Sequence, residues 1–284
     1  MLSSELKDKV AAAISSARSL PRPKVVDGTL IISSLSAMPS ARLLYNAVAT
    51  LGMQATLAGP TEASVLLMPY RDFNSVIVFA LAPRDSRSLR AAEEAAMMGM
   101  ETYFVSPRMD ESIEQRLKLH DNISRITVPG EAPLLTMMAA SALWAPLPSS
   151  SRGERLRGEL GSLDSALEWV SGRYADAIAS ASRLESYDVA YTSATQPGAL
   201  YLCRVSNRCA AAYIIDEVSE AYSKLSAQGI VLLTTTAEDH DYRDVELMLS
   251  MRRANVIKIE LNVDPVTAGL YAAFVAVALG GGLA

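Results

Sequence analysis

The chain has 284 residues, half of them hydrophobic, and a formal net charge of −5. That length supports one large core or two domains of roughly 140 residues each. The acidic balance and the lack of any basic run argue against a nucleic-acid partner. With two histidines in all, a His-based metal site is not expected either.

In chain order, the opening MLSSELKDKV is polar and starts a helix over 3–19, so it is not a signal peptide. Residues 31–45, IISSLSAMPSARLLY, read as a strand, a hydroxyl-rich turn with Ser33, Ser34 and Ser36, and a helix with Pro39 in its first turn. Residues 75–81 form a continuously apolar strand, the pattern of a parallel sheet covered on both faces. This strand runs into FALAPRDSRS (79–88) and a helix rich in Ala, Glu and Met. A phosphate would sit at such a strand end beside a helix N-terminus. The loop lacks the Gly that lets backbone approach an anion. Ser86 and Ser88, with Arg84 or Arg87, supply hydroxyls and guanidinium forks instead. The simpler alternative is that Asp85 or Ser86 caps the helix. His120, in LKLHDN, reads as a turn residue, and APLLTMMAASALW (132–144) as a Pro-initiated apolar helix. PLPSSSRGER (146–155) is a Pro/Ser linker. It divides the chain into units 1–148 and 156–284, with 149–155 between them.

The second half opens with a helix over 163–182. VAYTSATQPGALYLC (189–203) then repeats the strand–turn–helix plan, with Thr192, Ser193, Thr195 and Gln196 in the turn. Short hydroxyl residues there suit sugar hydroxyls and phosphates, or cap the helix that follows. Cys203 and Cys209, six apart in an expected helix, read as buried thiols rather than a disulfide or metal pair. Glu217 and Glu220 lie three apart on one helical face. After a strand over 230–235 comes an acidic loop in which Glu238, Asp239, Asp241 and Asp244 surround His240. These acids favour the imidazolium, which could donate a proton to a ring oxygen, but they would also repel a sugar phosphate. The apolar stretch 268–283 falls short of a ~20-residue span and ends in three glycines, so it reads as a core helix rather than a membrane anchor. A cytoplasmic protein is expected.

The halves resemble each other. Residues 31–45 match 189–203, with Ser34 facing Thr192. Residues 76–105 match 231–260, each a strand, a polar loop, a helix, a short turn and a strand. Residues 132–144 match 264–276. Three matches in one order indicate a tandem duplication. Helix–strand alternation of this kind gives an α/β fold of two tandem units, each a mostly parallel sheet with helices on both faces.

Two such units resemble the sugar isomerase (SIS) family, in the double-SIS arrangement of stand-alone phosphosugar isomerases and of the isomerase half of glucosamine-fructose-6-phosphate aminotransferase. Residues 31–55 look like the family's opening strand and turn, and 72–106 like its phosphate-loop segment. Tyr213, Ile214 and Glu217 match a Y-I-x-x-E pattern. The family loop S-x-S-G-x-T falls on Ala80–Asp85, where both serines, the Gly and the Thr are replaced. The position of the family's base is Ala210, and that of its ring-opening His falls near Ser226.

The resemblance implies a phosphorylated-sugar ligand, no cofactor and a homodimer. The protein would be an aldose–ketose isomerase or aminosugar-phosphate deaminase with an altered site, with Glu217 or Glu220 as base and His240 as acid. The alternative is a non-catalytic sensor or scaffold that binds the same ligand. A nucleotide-binding reading lacks any G-x-G-x-x-G or P-loop at the strand ends.

Overall fold

The structure is a computed structural model. It describes residues 3–221, 228–280 and 282–283, leaving aside the side chain of Asp241. Two compact units divide the chain, residues 8–153 and residues 154–284 with 1–7.

The first unit takes α1 (Ser4–Ser19) from residue 8 onward and then runs β1 (Thr29–Ser33), α2 (Met38–Thr50), β2 (Ala55–Ala58), α3 (Pro60–Glu62, continued by a π turn over Ala63–Leu67), β3 (Ser75–Phe79), α4 (Ser86–Met97), β4 (Thr102–Pro107), α5 (Glu111–Leu117), β5 (Ile123–Val128) and α6 (Pro133–Trp144). Its five strands are all parallel in the order β2-β1-β3-β4-β5. Every residue of β1 and β3 is buried, as expected of central strands covered on both faces. Leu30, Ile32, Val76 and Val78 pack on one side against Leu89, Ala91, Ala92 and Ala95 of α4. Helix α2 packs on α6, which is apolar all round and wholly inside this unit.

The second unit runs α7 (Ser151–Gly161), α8 (Leu163–Arg173), α9 (Ala175–Ala181), β6 (Tyr187–Tyr191), α10 (Gln196–Val205), β7 (Cys209–Ile214), α11 (Ile215–Ala221), β8 (Ile230–Thr235), α12 (Asp239–Met251), β9 (Val256–Leu261) and α13 (Pro265–Ala278). Its parallel order is β7-β6-β8-β9. The first four strands of the other unit have the same plan. Proline occupies the first turn of α2, α6, α10 and α13, where its missing N–H costs nothing. Twelve of the 14 residues of α13 are buried, so residues 268–278 of the apolar stretch form part of a core helix. Among the described residues no helix is long and apolar enough to cross a membrane.

Several sequence expectations change. The helix expected over 163–182 is two helices that meet at Tyr174. Residues 151–155 of the expected linker open α7. His240 lies in α12 rather than in a loop. The cysteines are not thiols in one helix. Cys203 on α10 and Cys209 on β7 are half-buried and joined in a disulfide with a Cα separation of 4.9 Å. The chain leaves α10 after Val205 and turns straight into β7, so the two side chains face each other across the bend.

Candidate functional site

In each sheet the chain first steps one way from the central strand and then reverses. The reversal lies between β1 and β3 in the first unit and between β6 and β8 in the second. Open parallel sheets bind ligands outside the carboxyl ends of the strands at such a switch point. The Ser turn follows β1 and the FALAPRDSRS loop follows β3, so the two loops leave the ends of adjacent strands at the switch point. The Thr turn and the acidic loop share the equivalent place in the second unit.

The strand registers fix which loop residues correspond. Ile31 pairs with Ile77, and Val189 with Val231. The Ser34 N–H donates to the Phe79 carbonyl and the Thr192 N–H to the Leu233 carbonyl, each at 3.2 Å. Ile77 is thus the first unit's counterpart of Val231. Five residues beyond Phe79 is Arg84, and five beyond Leu233 is Glu238. The two loops carry opposite charges at one topological position.

In the first unit, Ser33 is buried at the end of β1 and its hydroxyl donates to the Ser34 carbonyl at 2.8 Å. Ser34 and Ser36 are half-buried, and their hydroxyls lie 3.1 Å apart, hydrogen-bonded to each other. A 3-10 turn, Leu35–Ala37, leads from them into α2. In the loop after β3, Asp85 caps α4. It accepts the Arg87 N–H at 3.4 Å and the hydroxyl of buried Ser88 at 2.5 Å. For Asp85 and Ser88 the capping alternative is therefore the one observed. Ser86 is exposed at the first residue of α4. The Arg84 Nε lies 2.5 Å from Asp110 Oδ2, with the two side chains 76% and 50% exposed. Such a pair contributes about 1 kcal/mol at most, so Arg84 is free to exchange Asp110 for another anion.

In the second unit the Thr turn is closed by a carboxylate. Glu238 Oε1 accepts the Ala194 N–H at 3.0 Å, and Oε2 accepts the Thr235 hydroxyl at 2.8 Å and the Thr192 hydroxyl. Thr192, Thr195 and Thr235 are buried. The Thr195 hydroxyl donates to the Leu233 carbonyl at 2.7 Å. The Gln196 amide approaches the Tyr191 hydroxyl at 3.4 Å, and Ser193 is exposed. The sequence reading missed Glu238 as a partner of Thr192. The available signal was Thr235-x-x-Glu238, a pattern in which a hydroxyl residue and a Glu satisfy each other at a helix start.

The proposed acid–base groups are elsewhere on the surface. Glu217 and Glu220 are exposed on α11, whose buried residues are Ile215 and Val218. His240 is exposed on α12. Its neighbour Asp239 bonds Arg243 and accepts the Tyr242 hydroxyl at 3.0 Å, and these bonds hold its carboxyl below the usual range. Ala210, at the position of the family's base, lies on β7, and Ser226 falls outside the described residues. Among the described residues no three His, Cys, Asp or Glu side chains cluster to hold a metal ion.

This architecture is the SIS fold that the sequence resemblance implied. A Clostridium difficile structure provisionally assigned as a phosphosugar isomerase matches with a TM-score of 0.64 at 12% identity, over 97% of this chain and 91% of that one. Tagatose-6-phosphate ketose/aldose isomerase from Escherichia coli matches with a TM-score of 0.60 at 13% identity, over 97% and 86%. The C-terminal domain of glucosamine-fructose-6-phosphate aminotransferase from Francisella tularensis matches at 0.58 and 13%, over 98% and 95%. At these identities the likeness is one of fold. No family model and no curated protein matches the sequence.

Proposed function

We propose that this protein binds a phosphorylated sugar at the switch point of its first unit, with the phosphate on the Ser34–Ser36 turn and Arg84. The observation that carries this reading is the open turn. Among the described residues the Ser34 and Ser36 hydroxyls bond each other and no carboxylate, whereas a carboxylate fills the matching turn of the second unit. Hydroxyls, the amides of the turn leading into α2 and a guanidinium form a suitable phosphate-binding set. Solved structures of this fold that carry sugar-phosphate names support the ligand class. Duplication of one ancestral unit, a homodimeric state and a cytoplasmic location belong to the same reading. The shared strand order supports the first of these.

The reading is of a binding protein, a sensor or scaffold, rather than an enzyme. The family's base position holds Ala210, and its phosphate loop holds Ala80, Pro83 and Arg84. A second reading, an isomerase or aminosugar-phosphate deaminase, rests on the exposed carboxylates Glu217 and Glu220 and on His240 as acid. A coupled assay of fructose-6-phosphate isomerisation separates the two. The binding reading expects no turnover. Activity lost in Glu217→Gln or Glu220→Gln would instead establish the enzyme.

A further inference from the structure

The two units place opposite charges at one position of their switch-point loops, and the second unit's charge is already in use. Around Glu238 the chain assembles three donors from two segments: the Thr192 hydroxyl and the Ala194 N–H from the turn after β6, and the Thr235 hydroxyl from the end of β8. Thr192 and Thr235 are 1% and 0% exposed. Among the described residues no Lys or Arg pairs with Glu238, so hydroxyl and amide dipoles hold its carboxylate. Buried or half-buried donors converging without a countercharge are what a small oxyanion requires. The first unit has the same strand plan and the same turn-to-strand hydrogen bond, but Arg84 stands at this position and the neighbouring Asp85 caps α4 instead of entering the Ser turn.

We propose that the Thr192–Ala194–Thr235 niche is an oxyanion site that the chain keeps filled with its own Glu238, so that the second unit takes a phosphate only when that carboxylate is withdrawn. A tethered carboxylate three residues from Thr235 competes at the high effective concentration of a short linker. It raises the apparent dissociation constant of a free anion by its own occupancy. In the native chain the second unit's niche is thus closed to free anions. The inference rests on the second unit's geometry alone and stands whether or not the first unit binds a sugar phosphate.

The test uses the full chain in a Ser34→Ala background, so that the first unit's turn does not contribute. Melting temperature is followed against inorganic phosphate and, separately, against acetate, which mimics the Glu238 side chain. Removing the latch with Glu238→Ala is expected to tighten phosphate binding about tenfold or more, with acetate also restoring stability. Adding Thr192→Val is expected to abolish both responses. A folded Glu238→Ala variant that responds to neither anion beyond its parent would overturn the proposal. So would a gain that survives Thr192→Val, since the anion would then bind elsewhere. If Glu238→Ala does not fold, the near-isosteric Glu238→Gln decides: a smaller but measurable phosphate response supports the niche, and none overturns it.

Discussion

Lys258 on β9 holds its charge between two carboxylates, with its Nζ 3.2 Å from Glu246 and 3.0 Å from Glu260, and 4.5 Å from the centroid of the Tyr242 ring. Burial works against the ammonium, but hydrogen bonds to Glu260, Tyr242 and Glu246 outweigh it and raise its pKa. A group whose folded-state pKa is raised stabilises the fold fully below its unfolded value, near 10.4, and loses that contribution as pH rises through the folded value. Lys258→Met should therefore cost about 1 kcal/mol from neutral pH to about pH 10, because the ion pairs are only partly buried. The gap to the native protein should close only at higher pH. Urea denaturation at stepped pH measures it, and parallel alkaline slopes for the two proteins would contradict it. Residues with local roles were legible in the sequence. Asp85 stands immediately before a helix, and its capping bonds reach Arg87 and Ser88, two and three residues on. Glu238 was not legible as a partner of Thr192 because 46 residues separate them, and only the strand register brings them together.

Helices α10 and α13 approach so closely that a Cβ on Gly198 would lie 2.2 Å from the Ala272 Cβ and 2.7 Å from the Gly269 carbonyl oxygen. One of these neighbours is backbone and cannot swing away, so Gly198→Ala should destabilise by about 2 kcal/mol or more. Gly158, exposed within α7 with nothing near its would-be Cβ, gives the opposite sign. Gly158→Ala should stabilise by about 0.5–1 kcal/mol. Chemical denaturation of both variants checks the pair, and equal effects would show that helix propensity rather than packing dominates. The Cys203–Cys209 bridge ties the end of α10 to the start of β7. By chain entropy a loop this short stabilises by about 2 kcal/mol. The unreduced folded protein should resist alkylation at both positions, and reduction should lower its melting temperature. Two alkylated cysteines before reduction would show that the bridge does not form. Its pairing was not legible because the boundary between α10 and β7 falls between the two cysteines, where the sequence suggested a continuous helix. The helix break at Tyr174 was missed although Gly172, two residues before it, is the kind of residue that ends a helix.

At the scale of the whole molecule, periodicity and repetition carried most of the fold. The continuous apolar runs that became β3 and β8 are central, fully buried strands, and the Pro-initiated runs 132–144 and 264–276 are core helices. Both helices are buried within their own units, and light scattering measures whether the proposed homodimer forms. The site was legible only in outline. The Ser and Thr turns do lie at strand ends beside the switch points, but the similar turns proved unequal, one open and one filled. That inequality underlies the claim that a phosphorylated sugar binds the first unit through Ser34, Ser36 and Arg84. The most direct test is calorimetric titration of the native protein with fructose-6-phosphate and glucosamine-6-phosphate, alongside fructose and glucosamine. Binding is expected for the phosphorylated sugars alone. It should weaken about tenfold or more in Ser34→Ala and in Arg84→Ala, the scale of one lost hydrogen bond to a charged group. The absence of heat or saturation with either phosphosugar up to millimolar concentration, or binding untouched by both substitutions, would contradict it.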